Sequence, residues 1–319
     1  MKALVFNEFG DADVLHVAEL PTPPIGPNQA LVRVESAGLN FADVYRRNGN
    51  YHLVGKAPWV LGYEGAGVVA DIAVDDPEIK KGARVAFADS PQANAEFAIV
   101  DIDRLIPLPD DISADVAAAL LLQGLTAQYL ARDSYAAKSG EVAVVHAAAG
   151  GVGLLLTQLL KLAKTKVIAV ASTPEKREAA RRAGADCVIG VENWSENVRE
   201  FAPSGADVIY DSVGSTLGDS LATARTGGTV VFFGMAGGDP PPVDARVLMD
   251  RSLSLVGGDL WNVLTSAAIR RSRANELFDL VRKGALDVKI AARFPLARGA
   301  DAHRMLEGRG VIGKIILTV

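Results

Sequence analysis

With 319 residues, 49% of them hydrophobic and 22% charged, the chain has the composition of a globular protein large enough for two domains. Its net charge of -5 and scattered cations give no electrostatic reason to expect nucleic acid as a partner, and no apolar segment approaches a membrane span. One cysteine, Cys187, excludes an intrachain disulfide framework and a multi-cysteine zinc site; with too short an apolar run in MKALVFNEFG for a signal peptide, the expected location is the cytoplasm.

From Met1 to about Pro109 the pattern is short alternating strands broken by Gly and Pro: KALVF, QALVRVESAG, GAGVVADIAV, GARVAFA and NAEFAIVD. Asp110 to Leu130 reads as a helix, with Ser113 a plausible N-cap before the apolar run Ala117 to Leu122. From Glu141 onward strands and helices alternate through VAVVHA, KVIAVA, DCVIG, DVIYDS, GTVVFFG and SLSLVGG, which predicts a doubly wound parallel sheet of six strands. Beyond Gly258 the style changes to an amphipathic helix around Ala274 to Lys283 and a final strand, GKIILTV. A strand so late most simply returns to the first domain. The expected organisation is therefore a discontinuous catalytic domain, 1–122 and 260–319, with a dinucleotide-binding domain, 123–259, inserted in it.

The stretch Glu141 to Lys164, EVAVVHAAAGGVGLLLTQLLKLAK, carries the clearest chemical signal. Val142, Val144 and Val145 suit a buried parallel strand, and Leu154 to Leu162 is apolar nearly all round, as a helix packed on a sheet must be. Between them Gly150, Gly151 and Gly153 lack a Cβ, so the backbone from Ala149 through Val152 turns tightly and presents amides to a pyrophosphate at the positive end of the helix. Such a turn alone also serves as an ordinary connector. The next strand, KVIAVA, ends where this fold selects the adenine ribose, and Ser172-Thr173-Pro174-Glu175-Lys176-Arg177 follows it. No carboxylate stands at the strand end to repel a 2′-phosphate; hydroxyls and two cations stand there instead. The cofactor expected is NADPH, with Ser172 and Lys176 as candidates for its phosphate and Arg177 a weaker one. The competing reading has Ser172 or Thr173 capping the helix, Pro174 in its first turn, and both cations solvated. His146, just before the turn, reads as structural rather than as a general base.

Four segments in order carry a resemblance over the full length: Asn40 to Tyr51 (NFADVYRRNGNY), Leu61 to Gly67 (LGYEGAG), Gln123 to Ala127 (QGLTA) and Ala147 to Gly153 (AAAGGVG). With them the chain resembles the medium-chain dehydrogenase/reductase superfamily, and within it the zinc-free quinone oxidoreductases, the zeta-crystallin-like group. The resemblance implies an α/β protein with a GroES-like β-rich catalytic domain and a Rossmann domain. It also implies a homodimer, which an apolar edge strand at Ser252 to Val256 would suit.

Zinc alcohol dehydrogenases of the superfamily supply a Cys, a His in a Gly-His-Glu triplet, and a second Cys or other ligand at three places. Here those places hold Asn40, Tyr63 and Gln123, none a usual zinc ligand, so no metal is expected. Glu64 and Asp43 remain from the pattern, with hydrogen bonding and packing as their expected roles. Hydride transfer without a Lewis acid suits acceptors that are already electrophilic. The first reading is an NADPH-dependent reductase of small quinones or conjugated enones; the second is an enoyl or alkenal reductase, acyl-CoA substrates included; the third is a non-catalytic NADPH-binding protein. The resemblance places Asn40, Tyr45 and Tyr51 beside the nicotinamide, Asn40 anchoring an oxygen by its amide and the tyrosines forming an apolar wall with a hydroxyl at its edge. Either phenol could relay a proton, but solvent could do so too, and positioning is the role expected of them in preference to proton donation. Thr126 matches the family's contact to the nicotinamide end. Phe233 and Gly234 end the fifth strand, and ligands sit outside the carboxyl ends of parallel strands. Two departures stand out: Ala147 replaces the first glycine of the turn, which must then accept a Cβ, and Val191 lies where some relatives present a Tyr to the adenosine phosphate.

Overall fold

A computed structural model describes residues 1–74 and 76–319, which pack as two units: 1–122, 264–282 and 288–319 form one, and 123–263 with 283–287 form the other. In the first unit the strand Gln29–Leu39 is the spine. Its alternating sequence buries Ala30, Val32 and Val34 and turns Arg33 outward, as a two-residue repeat requires. It pairs antiparallel with Gly65–Ile72, with Phe97–Asp101 and with the last strand of the chain, Lys314–Thr318. Arg84–Phe87 and Ile106–Pro107 extend this seven-stranded sheet beyond Gly65–Ile72, and Ile290–Pro295 lies parallel to Lys314–Thr318 at the opposite edge. A smaller sheet sets Lys2–Phe6 between His16–Glu19 and Trp59–Val60. Leu4 and Phe6 join Val32, Leu39, Phe87 and Ile315 in the main core of this unit.

Register explains which distant residues meet. Leu39 faces Ile315 and Ala37 faces Gly65, so Asn40, Lys314 and Glu64 fall side by side at one end of three neighbouring strands. Asn40 also caps the helix Phe41–Arg47. That helix is too short to show a periodic signal, and the sequence reading names no helix there. The helix Ala267–Arg282 begins seven residues before the expected start at Ala274, and the Ser266 hydroxyl accepts from the Ile269 N–H at its beginning. Two further elements, Ile290–Pro295 and the helix Gly299–Glu307, are absent from the sequence reading; the strand is half-buried and ends in proline, which hides its alternation.

In the second unit all six strands are parallel, in the order Cys187–Ile189, Lys166–Val170, Val142–Val145, Ala206–Asp211, Ala224–Phe232, Ser254–Gly257. This is the doubly wound sheet expected, with its strand order reversing beside Val142–Val145. The edge strand sits two residues later at its start than the predicted Ser252. The chain leaves this unit after Val263 rather than at 259, and Lys283–Asp287 returns to it: Gln158 Nε2 donates to the Asp287 carbonyl at 3.1 Å and Gln158 Oε1 accepts from the Asp287 N–H at 2.7 Å. Among the described residues no helix is long and apolar enough to cross a membrane.

The returning helix is tied to the first unit by Arg270. Its buried guanidinium donates to the Asp103 carbonyl at 2.8 Å, to Asp89 Oδ2 at 2.7 Å and to the Leu264 carbonyl at 2.9 Å. Burial pushes the Asp89 carboxyl up, and Arg270 opposes that shift. Arg270→Met leaves the Asp89 charge unpaired, and the expected loss of stability is about 3–5 kcal/mol, read from urea unfolding followed by fluorescence.

Candidate active site

The first unit gathers the catalytic candidates of the sequence, Tyr45 and Tyr51, with Asn40 on one segment of chain. The Asn40 N–H donates to Asp43 Oδ2 at 2.9 Å, which completes half of a capping box and fixes the start of the helix Phe41–Arg47. The Asn40 side chain faces the other way. Its Nδ2 donates to Glu64 Oε2 at 3.0 Å and to the Gly38 carbonyl at 3.3 Å, and its Oδ1 accepts from Lys314 Nζ at 2.7 Å. Lys314 Nζ also lies 2.6 Å from Glu64 Oε2, with only 2% and 0% of the two side chains exposed. Glu64 Oε1 accepts from the Leu122 N–H at 2.6 Å. Gly38 is needed here, because a Cβ would run into the Glu64 carboxylate and the Ala118 carbonyl.

Asn40 thus spends both amide hydrogens inside the unit. The sheet register brings a carboxylate and an ammonium to this amide, the one expected to anchor an acceptor oxygen, and they bond to its donors and its oxygen. Lys314 went unnoticed in the sequence, although a lone cation at the head of the apolar strand KIILT is a signal in itself.

Arg46 forms the second ion pair. Its NH1 lies 3.3 Å from Asp43 Oδ1, and Nε donates to the His52 carbonyl at 3.2 Å. The guanidinium carbon sits 3.6 Å from the Tyr63 ring centroid and 5.1 Å from that of Tyr51. Burial pushes the Asp43 carboxyl up, against the opposing effects of Arg46, the Asn40 N–H and Lys314. Burial likewise raises the Tyr63 phenol, which therefore stays protonated. Tyr45 and Tyr51 meet edge to face with centroids 6.4 Å apart, and Phe41 packs on Tyr45 at 5.5 Å. The structure brings Asn40, Tyr45 and Tyr51 together on one short helix and the segment after it.

In the second unit the turn after Val142–Val145 has the predicted form. Gly150 caps the helix Gly151–Leu162 in extended conformation, and its N–H donates to the Ala147 carbonyl at 2.9 Å. Ala147 does accept its Cβ at a price in backbone strain: its φ is +47°, in the left-handed region. Gly153 has no room for a side chain, since a Cβ would stand 2.5 Å from the Ala147 carbonyl oxygen and 2.7 Å from Ala148 Cα. Gly151 lies against the Gln123 amide on the helix Ala114–Tyr129, and Thr126, one turn further along that helix, shares the Gln123 face. Ala149 is buried, so only its backbone is available to a ligand, and Val152 is half-buried on the first turn. The first amides of a helix have no partner within it, and here they are those of Gly151, Val152 and Gly153.

At the end of Lys166–Val170 it is Thr173 that caps the next helix, its hydroxyl accepting from the Lys176 N–H at 3.3 Å with Pro174 in the first turn. Ser172 is exposed and takes no part in that cap. Arg177 NH1 donates to the Ser172 carbonyl at 3.1 Å and so buttresses the strand end. Val191 is 46% exposed. Phe233 and Gly234 follow Ala224–Phe232, at the carboxyl side of the sheet and away from Ser172 and Lys176 along it. His146 is buried edge-on to Trp194 at 4.4 Å, and burial pushes its pKa down against the opposing effect of the Asp211 charge.

Comparison with known proteins decides the family. Residues 26–131 match the alcohol dehydrogenase GroES-like domain, and residues 151–274 match the family described as zinc-binding dehydrogenase. A quinone oxidoreductase of Pseudomonas aeruginosa is 37% identical, over 99% of this chain and 99% of its own. The chain belongs to the quinone oxidoreductase group of the medium-chain dehydrogenase/reductase superfamily. A 2-haloacrylate reductase of a Burkholderia species is 34% identical over 99% of this chain and 98% of its own. The crystal structure of Escherichia coli quinone oxidoreductase complexed with NADPH superposes with a TM-score of 0.96 at 33% identity, covering all of both chains.

The Asn40–Glu64–Lys314 cluster contains two residues, Asn40 and Glu64, from the segments that the sequence sets beside those of the zinc alcohol dehydrogenases. Among the described residues no group of three His, Cys, Asp or Glu side chains is arranged to hold an ion. Lys314→Met strips Glu64 of its counter-charge and is expected to cost about 3–5 kcal/mol in chemical unfolding, whereas Glu64→Gln combined with Lys314→Met recovers at least about half of that.

Proposed function

We propose that this oxidoreductase uses NADPH to reduce small quinones or conjugated enones, without zinc. The observation that carries the zinc-free reading is the donor set. Where a catalytic zinc would need thiolate, imidazole or carboxylate ligands, Tyr63 is stacked on the Arg46 guanidinium, and the Asn40 amide and the Glu64 carboxylate are taken by the Lys314 ammonium. A fixed interior cation offers no open coordination position. The acceptor must therefore arrive already electrophilic, as a quinone or a carbonyl-conjugated alkene does.

When bound, NADPH supplies a hydride equivalent, and the protein supplies binding, orientation and the exclusion of water. The amides of Gly151, Val152 and Gly153 hold the pyrophosphate, and Ala149 and Gly150 shape the turn that presents them. Ser172 and Lys176 take the 2′-phosphate: an exposed hydroxyl that the helix cap does not use, and a cation one turn into the helix. Thr126, Phe233 and Gly234 are the contacts toward the nicotinamide end. On the acceptor side Tyr45 and Tyr51 form an aromatic wall that orients a planar acceptor, Asn40 is the framework from which that wall is hung, and the proton that follows the hydride comes from solvent. A second reading, reduction of conjugated carboxylic derivatives or alkenals, is favoured by one comparison, the similarity to a 2-haloacrylate reductase.

Steady-state NADPH oxidation with a quinone, an alkenal, a 2-haloacrylate and an enoyl-CoA separates these readings; the quinone is expected to give the highest kcat/KM, and no oxidation with any of the four refutes an enzymatic role toward these classes. NADPH is expected to bind about a hundredfold more tightly than NADH, and Lys176→Ala to cut NADPH affinity by about tenfold while leaving NADH unchanged. Equal affinities in the wild type refute the phosphate assignment. Tyr51→Phe is expected to keep turnover within about threefold, whereas Tyr51→Ala raises KM by about tenfold; a collapse of kcat in Tyr51→Phe would instead make the phenol a proton donor.

A further inference from the structure

One buried carboxylate in the dinucleotide unit is explained neither by the phosphate turn nor by the strand-end cations. Asp211 closes the strand Ala206–Asp211, which neighbours Val142–Val145 on the side away from Lys166–Val170. Its side chain is fully buried. Oδ1 accepts from the N–H groups of Val213 at 2.9 Å and Gly214 at 3.1 Å, the Thr216 hydroxyl lies 3.0 and 2.8 Å from the two oxygens, and Ser220 Oγ donates to Oδ2 at 2.7 Å. Burial opposes its ionisation, yet His146 together with the Ser220, Gly214 and Val213 hydrogen bonds holds the carboxyl below the usual carboxylate range. The loop 212–216 is thus wrapped around the last residue of its own strand.

That loop in turn holds another. The Phe233 N–H donates to the Asp211 carbonyl at 2.9 Å, the Ala236 N–H to Ser212 at 3.1 Å and the Gly237 N–H to Val213 at 2.8 Å. Gly234 lies so near Ser212 that a Cβ would stand 3.1 Å from its carbonyl oxygen. Gly214, at φ +85°, has the Gly238 carbonyl where a Cβ would be. The loops at the carboxyl ends of the fourth and fifth strands are therefore zipped together and anchored on one side chain.

In a doubly wound sheet a dinucleotide crosses the point where strand order reverses, one half over the strands on either side. Ser172 and Lys176 mark the adenosine half at Lys166–Val170, so the Asp211 loops lie on the nicotinamide half. We infer that Asp211 is a positioning residue for the nicotinamide half of the dinucleotide site, setting loops 212–216 and 233–237 so that their backbone groups meet an uncharged carboxamide-bearing ring. The inference rests on the NADPH reading above. The network also reaches the phosphate turn, since Ser220 Oγ lies 3.4 Å from His146 Nε2 and His146 precedes Ala147.

The test compares two ligands: NADPH, and 2′,5′-ADP, which carries the adenosine phosphate half alone. Titration of each into the wild type and Asp211→Ala is expected to show NADPH weakened by about tenfold or more and 2′,5′-ADP by less than about twofold. Asp211→Asn, whose carbonyl oxygen still accepts from Val213 and Gly214, is expected to keep NADPH within about threefold of the wild type. Equal weakening of both ligands by Asp211→Ala, or no weakening of NADPH, overturns the inference. Should Asp211→Ala fail to fold, Thr216→Val takes its place: a loss of about threefold for NADPH alone supports the inference, and no loss or an equal loss for both ligands overturns it. A wild type that binds neither ligand overturns the cofactor reading and this inference with it, whereas normal wild-type binding with an equal loss in the variants overturns the inference alone.

Discussion

Asn40 is held between two buried ion pairs, and the geometry of the proposed acceptor side follows from that. Its backbone donates to the Asp43–Arg46 pair and its side chain is bonded on both ends by the Glu64–Lys314 pair. Buried pairs of this kind contribute little net stability, because desolvation of each ion offsets the attraction between them. What they contribute is definition. With three strand ends and a helix start converging on one amide, the helix Phe41–Arg47 can begin in one way only, and Tyr45 is placed one turn later. Arg46 carries the constraint onward by its contacts with the Tyr51 ring and the His52 carbonyl.

The dinucleotide unit solves the corresponding problem with backbone rather than charge. Its proposed phosphate seat is made of amides that a helix start leaves without internal partners, and Gly151 and Gly153 are there because neighbouring atoms occupy the space a side chain would need. Ala147 shows the limit of that economy: a residue with a Cβ holds a left-handed conformation because the Gly150 N–H on its carbonyl and the strand before it leave no alternative. Asp211 is the exception, a single carboxylate that organises two loops through N–H and hydroxyl donors.

Much of this was legible in the sequence. The six parallel strands, the glycine turn and the capping of Pro174–Arg182 are all local, governed by periodicity and by what Gly, Pro and Thr do to a backbone. The helix Phe41–Arg47 escaped because seven residues give less than two turns of pattern. The spent amide of Asn40 escaped for a different reason: its partners lie 24 and 274 residues away, and only the register of three strands brings them to it. Motif resemblance named Asn40 but could not show that its amide is bonded to Glu64, Gly38 and Lys314. Asp211 was hidden in the same way, since its donors are close in sequence but the second loop it supports is not.

The Lys314 ammonium bears most directly on chemistry. A zinc ion and a lysine both place positive charge beside a carboxylate, but zinc accepts a further ligand while the ammonium can only donate hydrogen bonds, and two of its three protons already go to Asn40 and Glu64. Charge of that kind neutralises a carboxylate without polarising a substrate carbonyl. In the reading proposed here, the fold therefore keeps the electrostatic balance of a metal site while giving up its Lewis acidity. On that reading, selection among acceptors passes from metal coordination to ring shape and intrinsic electrophilicity, and the proposed tyrosine wall rather than the polar cluster sets acceptor preference.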